Sequence, residues 1–172
     1  NGTGSGGARP KANVIWNGRL HLAKFSISTD PYNIPALEYA TMMLAKDCGL
    51  DIPNIYLSKA LDRDVFLIER FDRDMEKKPY HFASALTMTN IAENEYERFQ
   101  YRELCETIQK YSDDHKRDLL KLYKRVAFNI MVNNNDDHLR NYGFMYNNDG
   151  TWRLSPHYDV VPTINSTGGG CS

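Results

Sequence analysis

The sequence predicts an α+β fold of two lobes, a small β-rich lobe over residues 1–71 and a helical lobe over residues 72–172. The first lobe is predicted by short apolar runs that read as strands, two of them joined by Asn17-Gly18, a favoured two-residue hairpin turn. The second lobe is predicted by two longer stretches, residues 93–111 and 114–132, whose apolar residues recur at helical spacing.

Four strands and one helix are expected in the small lobe. The strands are predicted at residues 13–16, 19–25, 54–61 and 64–71. The helix is predicted over residues 35–49, because Pro35 suits a first helical turn and Gly49 suits the position just past a helix end. Its apolar residues keep helical spacing at Leu37, Ala40, Met43 and Leu44.

The helical lobe is expected to pack two apolar helix faces against each other and against a hairpin. The first predicted face consists of Tyr101, Leu104, Cys105 and Ile108. The second consists of Leu119, Tyr123, Val126, Ala127 and Ile130. Residues 143–154 read as a hairpin that turns at residues 148–150.

Composition narrows the class of protein. A net charge of −1 argues against nucleic acid as the main partner, and no apolar run is long enough to span a bilayer. The three cysteines, Cys48, Cys105 and Cys171, are unclustered, which predicts a reducing, cytoplasmic setting without a disulfide framework or a zinc site. The chain starts at Asn1, and we expect it to be part of a longer polypeptide.

The loop between the second long helix and the hairpin is unusually polar. Within it, Asp136 and Asn141 have the D-x-x-x-x-N spacing of kinase catalytic loops, where the Asp accepts the proton of the acceptor hydroxyl and the Asn binds Mg²⁺. Asp137 lies one residue too close to Asn141 for this role. Taken alone the spacing is weak, because Asp and Asn are common in ordinary loops.

Asp159 follows the predicted hairpin and should arrive on the same side of the fold as the polar loop. A carboxylate at that place could hold Mg²⁺, which prefers oxygen ligands. The alternative is an ordinary turn or helix-cap residue.

The small lobe offers candidate groups for binding phosphate. Gly2, Gly4 and Gly7 fit G-x-G-x-x-G, although a flexible tail is an equally simple reading. Lys24 ends an apolar strand face and could pair with Glu38 on the next helix, as in the phosphate clamp of kinases, or could be a surface lysine on an edge strand. Backbone groups at residues 69–71 could face an adenine edge.

The order of these features is more informative than any one of them: a Gly-rich segment, a strand Lys, a helix Glu, Asp-x4-Asn, a hairpin and a final Asp. That order predicts a protein-kinase-like fold with ATP and Mg²⁺ in the cleft between the lobes.

Several motifs also resemble one known family. They are "GGARPKA", "LAKF", "FLIERFDR", "ASALTM", "NNNDDHLRNYGFMY" and "LSPHYDVVPT", and in this order they resemble the HipA-like serine/threonine kinases of bacterial toxin–antitoxin systems. The resemblance implies that the triphosphate is lined by Gly6, Gly7, Ala8, Arg9, Lys11 and Lys24. It implies a hinge of Glu69, Arg70 and Phe71, and a catalytic Asp136. It further implies that His138 and Asn141 line the nucleotide, with Asn141 and Asp159 as metal ligands.

The resemblance also implies partners. Members of the family phosphorylate a protein substrate, typically an aminoacyl-tRNA synthetase, and pair with a DNA-binding antitoxin, so contact with DNA would be indirect. Many members carry an autophosphorylated serine at the position of Gly4, and here Thr3 and Ser5 are the neighbouring hydroxyls.

The chain also departs from the family in length, because members usually have an N-terminal subdomain and further helices after the "YD" motif. We therefore expect a truncated helical lobe. Two alternatives stay open at this stage: an inactive fragment that binds nucleotide or antitoxin, and a small-molecule kinase.

Overall fold

The computed structural model describes residues 9–89, 101–147 and 149–164. Several residues singled out in the sequence lie outside these ranges: Gly2, Thr3, Gly4, Ser5, Gly6, Gly7, Ala8 and Cys171. The first part of the helix predicted from residue 93 also lies outside them, as does Asn148 of the hairpin turn.

The N-terminal part forms one antiparallel sheet with a helix packed on it. The strands are β1 (Lys11–Trp16), β2 (Arg19–Phe25), β3 (Ile55–Ala60) and β4 (Arg63–Glu69), and the helix is α1 (Ile34–Asp47). The order across the sheet is β1-β2-β4-β3, so β4 lies between β2 and β3 although it follows both in sequence. This order places the end of β2 and the end of β4 in the middle of the sheet.

The turns of this sheet follow from its sequence. Asn17 and Gly18 have φ of 50° and 77°, the left-handed pair that a two-residue hairpin requires, which confirms the predicted β1–β2 hairpin. Asn33 caps α1 by accepting a hydrogen bond from the Ala36 N–H at 3.2 Å, and Gly49 follows the helix with a φ of 74°. The predicted helix boundaries are therefore close to those observed.

The C-terminal part packs helices against a second sheet. Its helices are α2 (Ala85–Thr89), α3 (Tyr101–Tyr111) and α4 (His115–Met131), and its strands are β5 (Phe82–Ser84), β6 (Gly143–Tyr146) and β7 (Trp152–Leu154). The strands pair antiparallel in the order β5-β6-β7, so the predicted hairpin is confirmed and gains a third strand that the sequence did not indicate. A core between these elements consists of Ala85, Leu104, Ile108, Leu122, Leu139, Tyr142, Phe144 and Leu154.

A second core joins the two parts of the chain. Met42 and Phe66 from the first sheet and its helix pack with Phe128 of α4 and with Val160 beyond β7. The division predicted after residue 71 stays a prediction, but this shared core fixes how the two parts face each other. None of the helices in the described part of the chain is long and apolar enough to cross a membrane.

The predicted faces of two helices are partly wrong. On α4, Tyr123 and Ile130 are 70% and 72% exposed, whereas Asp118 and Arg125 are buried. On α1, Leu44 is 49% exposed and Glu38 is buried. In each case a charged residue with a partner occupies the inner face and rotates the helix away from the position that apolar spacing alone would give it.

Asp118 shows how such a buried charge is accommodated. Its carboxylate is fully buried and accepts hydrogen bonds from Ser112 Oγ at 2.8 Å, from Leu154 N at 3.0 Å and from Arg153 Nε at 3.0 Å. Burial raises the pKa of Asp118, but these donors outweigh it and hold the pKa below its usual value. The charge therefore ties α4 to β7, the strand that leads to Asp159.

We predict that Asp118→Ala lowers the free energy of unfolding by about 3 kcal/mol, because Arg153 and the Leu154 N–H lose a shared buried acceptor. Urea unfolding followed by circular dichroism measures this. Asp113→Asn is the matched control, since Asp113 contacts the same Arg153 at 3.3 Å from a more exposed position, and it should cost under about 1 kcal/mol. Equal losses in the two variants would contradict the assignment.

Candidate active site

Lys24 lies where three separate segments meet. β2 carries it at the inner end of the sheet, α1 brings Glu38, and the segment after β7 brings Asp159. Its Nζ donates to Glu38 Oε1 at 2.5 Å and to Asp159 Oδ1 at 2.7 Å. The predicted Lys24–Glu38 pair is confirmed, and Asp159 is a second partner that the sequence had not paired with Lys24.

Lys24 stabilises the charge of each carboxylate, whereas burial and Asp159 raise the pKa of Glu38. Burial lowers the pKa of Lys24, but the carboxylates of Glu38 and Asp159 outweigh it, so the pKa lies above its usual value and Lys24 stays cationic at neutral pH. Burial raises the pKa of Glu38 against the effect of Lys24, because the Glu38 side chain is only 3% exposed. Burial also raises the pKa of Asp159, but Lys24 overcomes it, and that pKa is lowered.

Asp159 is held in an uncommon backbone conformation. Its φ is 60°, in the left-handed region that side chains other than Gly, Asn and Asp seldom adopt. Strained residues of this kind are found at ligand sites and switches more often than elsewhere. The conformation turns the chain directly after Tyr158, at the place where the carboxylate reaches Lys24.

The polar loop after α4 holds the backbone of Asp136 from both sides. Asn134 Oδ1 accepts the Asp136 N–H at 3.3 Å, and Asn141 Nδ2 donates to the Asp136 carbonyl at 2.7 Å. Asn134 is itself buried and is fixed by hydrogen bonds to Asn129 at the end of α4. Asn134 and Asn141 therefore fix the two peptide units on either side of the Asp136 Cα.

The carboxylate of Asp136, in contrast, is open. Its side chain is 88% exposed, and Oδ1 lies 3.6 Å from His138 Nε2, too far for a strong hydrogen bond. A fixed backbone with a free carboxylate is what a group that must meet an incoming hydroxyl requires.

A pair of hydrogen bonds joins the loop to the segment after Asp159. The Thr163 N–H donates to the Asn133 carbonyl at 2.8 Å, and Asn133 Nδ2 donates to the Thr163 carbonyl at 2.7 Å. Asn133 has a φ of 55°, which lets it present both groups to the same strand-like segment. Sequence reasoning missed this contact, since nothing in the motif marks Asn133 as different from its two neighbouring asparagines.

Two cavities meet at Lys24 and Asp159. The larger, of about 500 Å³, is lined by Arg9, Lys11, Lys24, Glu38, Asp136 and Asp159 together with apolar residues. The smaller, of about 270 Å³, is lined by Leu22, Ile68, Phe71, Phe82 and Tyr158 together with charged residues at its rim. Lys24 and Asp159 line both cavities and lie between the larger one, called the polar cavity, and the smaller one, called the aromatic cavity. Arg9, which was predicted to line the triphosphate, also pairs with Asp30 at 2.9 Å.

The predicted hinge stays a prediction, but two of its backbone groups already have partners in the protein. The Glu69 N–H donates to Asn54 O and the Arg70 N–H donates to Leu20 O, both at 2.8 Å. Two of the three backbone donors expected to face a ligand are therefore used by the protein, because the sheet pairing extends as far as Arg70. The backbone groups that remain candidates for contact with an adenine edge are the N–H of Phe71 and the carbonyl oxygens of residues 69–71. The Phe71 ring packs 5.5 Å from that of Tyr158 and helps to form the aromatic cavity.

The predicted metal ligands, Asn141 and Asp159, stay a prediction, and their chemistry suits a cation that also binds phosphate and water. Within residues 9–89, 101–147 and 149–164, no group of three or more His, Cys, Asp or Glu side chains could hold a metal ion. With its Nδ2 bonded to Asp136, Asn141 has Oδ1 as the atom suited to a cation, and Asp159 adds a carboxylate. Mg²⁺ commonly takes only one or two carboxylates and completes its shell with phosphate and water oxygens. The buried Nδ1 of His138, which has no hydrogen-bond partner among these same residues, is a further polar group at this site.

Comparison with solved structures defines the class of fold. The chain is similar to a Shewanella oneidensis HipA in a structure titled as a toxin–antitoxin complex of HipA, HipB and operator DNA, with a TM-score of 0.79 and 21% identity over 92% of this chain and 43% of that one. It is also similar to the Helicobacter pylori proinflammatory kinase CtkA, with a TM-score of 0.70 and 19% identity over 89% of this chain and 53% of that one. The architecture is therefore the two-lobed protein-kinase-like fold that the sequence predicted.

The family follows from sequence. The model of the HipA-like C-terminal domain matches residues 3–170, and the chain belongs to this family. A Haemophilus influenzae protein named "Putative kinase" is 31% identical over 153 residues, which cover 80% of this chain and 44% of that protein. A similarly named Sinorhizobium fredii protein is 26% identical over 143 residues, or 76% of this chain and 34% of that one. The chain thus spans less than half the length of these two relatives.

We predict that Lys24→Met lowers the free energy of unfolding by about 3 kcal/mol, because Glu38 is left buried without its cation. Adding Glu38→Gln should restore most of that loss, since the buried charge is removed as well. Urea unfolding of the two single variants and the double variant measures the coupling.

Lys59→Met, at an exposed lysine of β3, is the control and should change stability by under about 0.5 kcal/mol. If the losses of the two single variants simply add in the double variant, Lys24 and Glu38 are not energetically coupled.

Proposed function

We propose that the protein containing this chain transfers the γ-phosphoryl group of ATP to a serine or threonine hydroxyl of another protein. The observation that carries the proposal is the contact of Lys24 with both Glu38 and Asp159, between two cavities and beside the open carboxylate of Asp136. Three distant segments converge there, and a buried cation fixed between two acids has a clear use as a phosphate-binding group. The kinase names of the curated relatives support the same reaction class.

The two cavities suit the two halves of ATP. The smaller cavity has the aromatic and aliphatic lining that an adenine ring packs against, which includes Leu22, Phe71 and Tyr158. The larger cavity has the cations Arg9, Lys11 and Lys24, which suit a triphosphate. Gly6, Gly7 and Ala8 precede these residues in the chain, and we assign them to the same phosphate-binding segment.

Asp136 and Asp159 would have different tasks. Bound Mg²⁺ would neutralise charge on the phosphates, and Asn141 with Asp159 would hold it. Asp136 would orient the acceptor hydroxyl and accept its proton, for which its exposed carboxylate is available. Positioning and charge stabilisation account for most of the rate enhancement in reactions of this type.

The partners follow from the family. The Shewanella oneidensis structure is a complex of HipA with HipB and operator DNA. This supports a DNA-binding antitoxin as a partner of the present protein. A protein acceptor such as an aminoacyl-tRNA synthetase remains part of the proposal, and so does autophosphorylation at Thr3 or Ser5. Incubation of the full-length protein with labelled ATP and a panel of protein and small-molecule acceptors would identify the acceptor class.

We predict that the full-length protein binds ATP more tightly with Mg²⁺ than with EDTA. The reason is that Asp159, which contacts Lys24, and Asn141 would offer oxygen ligands to a cation that joins the phosphates to the protein. Isothermal titration calorimetry with and without Mg²⁺ measures the difference. Equal affinity for ATP with Mg²⁺ and with EDTA would contradict the assignment of Asn141 and Asp159 as metal ligands.

We predict that Asp136→Asn lowers the rate of phosphoryl transfer by about 10²–10⁴-fold while leaving ATP affinity unchanged, because it removes the proton acceptor and no nucleotide contact. Asp159→Asn should weaken both transfer and Mg²⁺-dependent ATP binding. A radiolabel transfer assay combined with calorimetry separates the two effects.

Asp149→Asn is the control for these variants, since Asp149 lies at the tip of the β6–β7 hairpin and should change neither quantity. Near-normal phosphoryl transfer by the Asp136→Asn variant would show that Asp136 is not the catalytic residue.

A further inference from the structure

Asp137, directly after the exposed Asp136, is bound by two tyrosine hydroxyls. Tyr101 Oη donates to Asp137 Oδ2 at 2.8 Å, and Tyr142 Oη donates to the same oxygen at 2.9 Å. Tyr101 begins α3, and Tyr142 follows the short 3-10 helix of residues 139–141. A single carboxylate oxygen therefore joins α3 to the middle of the polar loop and to its C-terminal end.

One of the two tyrosines is a rigid anchor. Tyr142 is 1% exposed, and its carbonyl accepts the Ala85 N–H at 2.8 Å, where α2 begins. The ring cannot move without disturbing the core that contains it. Tyr101 reaches Asp137 from the surface side, so Asp137 is held between a fixed group and a more exposed one.

Both phenols remain hydrogen-bond donors at neutral pH. Burial, followed by the hydrogen bond to Asp137, raises the pKa of Tyr101 to about 12. Burial and Asp137 likewise raise the pKa of Tyr142 above its usual value. A phenol with a raised pKa keeps its proton until the pH rises through that higher value, so the contact is complete below the ordinary pKa of 10.0.

The two adjacent carboxylates thus have opposite environments. Asp136 is 88% exposed with only a 3.6 Å approach to His138, whereas Asp137 is half-buried and doubly hydrogen-bonded. One planar peptide bond joins Asp136 to Asp137, so fixing Asp137 restricts where the Asp136 side chain can lie. Asp137, which lies one residue too close to Asn141 for the catalytic role, is therefore well placed to position Asp136.

We propose that Asp137 is a positioning residue, which accepts hydrogen bonds from Tyr101 and Tyr142 and thereby holds the loop so that Asp136 faces the larger cavity. The inference rests on the proposed function for its catalytic consequence, but the fixing of the loop can be measured without any activity. The competing interpretation is a purely structural tie, in which Asp137 attaches α3 to the fold and has no effect on Asp136.

Hydrogen exchange on the full-length protein tests the loop directly. In Asp137→Ala we expect amides of residues 133–142 to exchange at least about tenfold faster, the effect of losing a hydrogen bond to a charged group. Asp137→Asn keeps an oxygen acceptor and should exchange at nearly the parental rate. Tyr123→Phe, at an exposed tyrosine of α4, is the control and should change nothing. Parental exchange in Asp137→Ala would overturn the proposal.

Steady-state kinetics tests the consequence for catalysis. We expect Asp137→Ala to lower kcat about 10²-fold through misplacement of Asp136, with KM for ATP unchanged, and Asp137→Asn to restore most of kcat. Tyr101→Phe removes one donor and leaves the anchor, so it should give an intermediate kcat even if Asp137→Ala folds poorly.

Three outcomes of these measurements would be decisive. A parental kcat per folded molecule beside faster loop exchange would mean a structural tie only and would overturn the positioning role. An Asp137→Asn variant as slow as Asp137→Ala would overturn it too, because the charge and not the hydrogen bonds would then matter. If the parent transfers no phosphate to any acceptor, the proposed function has failed, and hydrogen exchange alone decides whether Asp137 holds the loop.

Discussion

The contact of Lys24 with Glu38 and Asp159 is the interaction on which the rest of the arrangement depends. Each of its three members comes from a different part of the chain, so the triad exists only when the sheet, α1 and the segment after β7 have all docked. A buried cation is costly without partners, and two carboxylates from opposite sides offset that cost. The same contact separates the aromatic cavity from the polar one, so one ion-pair cluster organises both the fold and the site.

The polar loop solves a different problem, because a reactive acid must be fixed in place and yet stay free. The side-chain amides of Asn134 and Asn141 bind the backbone N–H and carbonyl of Asp136, and they leave its carboxylate without a hydrogen bond to them. This explains why the loop contains so many asparagines, since a neutral amide can donate and accept without adding charge beside the acid. A buried amide in turn needs hydrogen-bond partners of its own, and Asn129 accepts hydrogen bonds from both the backbone N–H and the side-chain Nδ2 of Asn134.

Much of this could be predicted from sequence, and the failures share one cause. The β1–β2 hairpin, the limits of α1 and the Lys24–Glu38 pair follow from turn chemistry, capping and strand alternation, which are local. The inner faces of α1 and α4 were partly wrong, because apolar spacing does not show that Glu38, Asp118 and Arg125 are buried, each with a partner on another segment of the chain. The Asn133–Thr163 bonds and the two tyrosines on Asp137 were missed for the same reason: hydrogen bonds between distant residues leave no periodic pattern.

The left-handed backbone conformation of Asp159 limits which residues can replace it. Glutamate would keep the charge but would strain the main chain, whereas asparagine and glycine accept the backbone and lose the acid. Asparagine and glycine are each one nucleotide change away from aspartate in the genetic code, and glutamate is as well. A descendant that loses the acid at this position therefore keeps an unstrained main chain, whereas one that keeps an acid as glutamate must accept the strain.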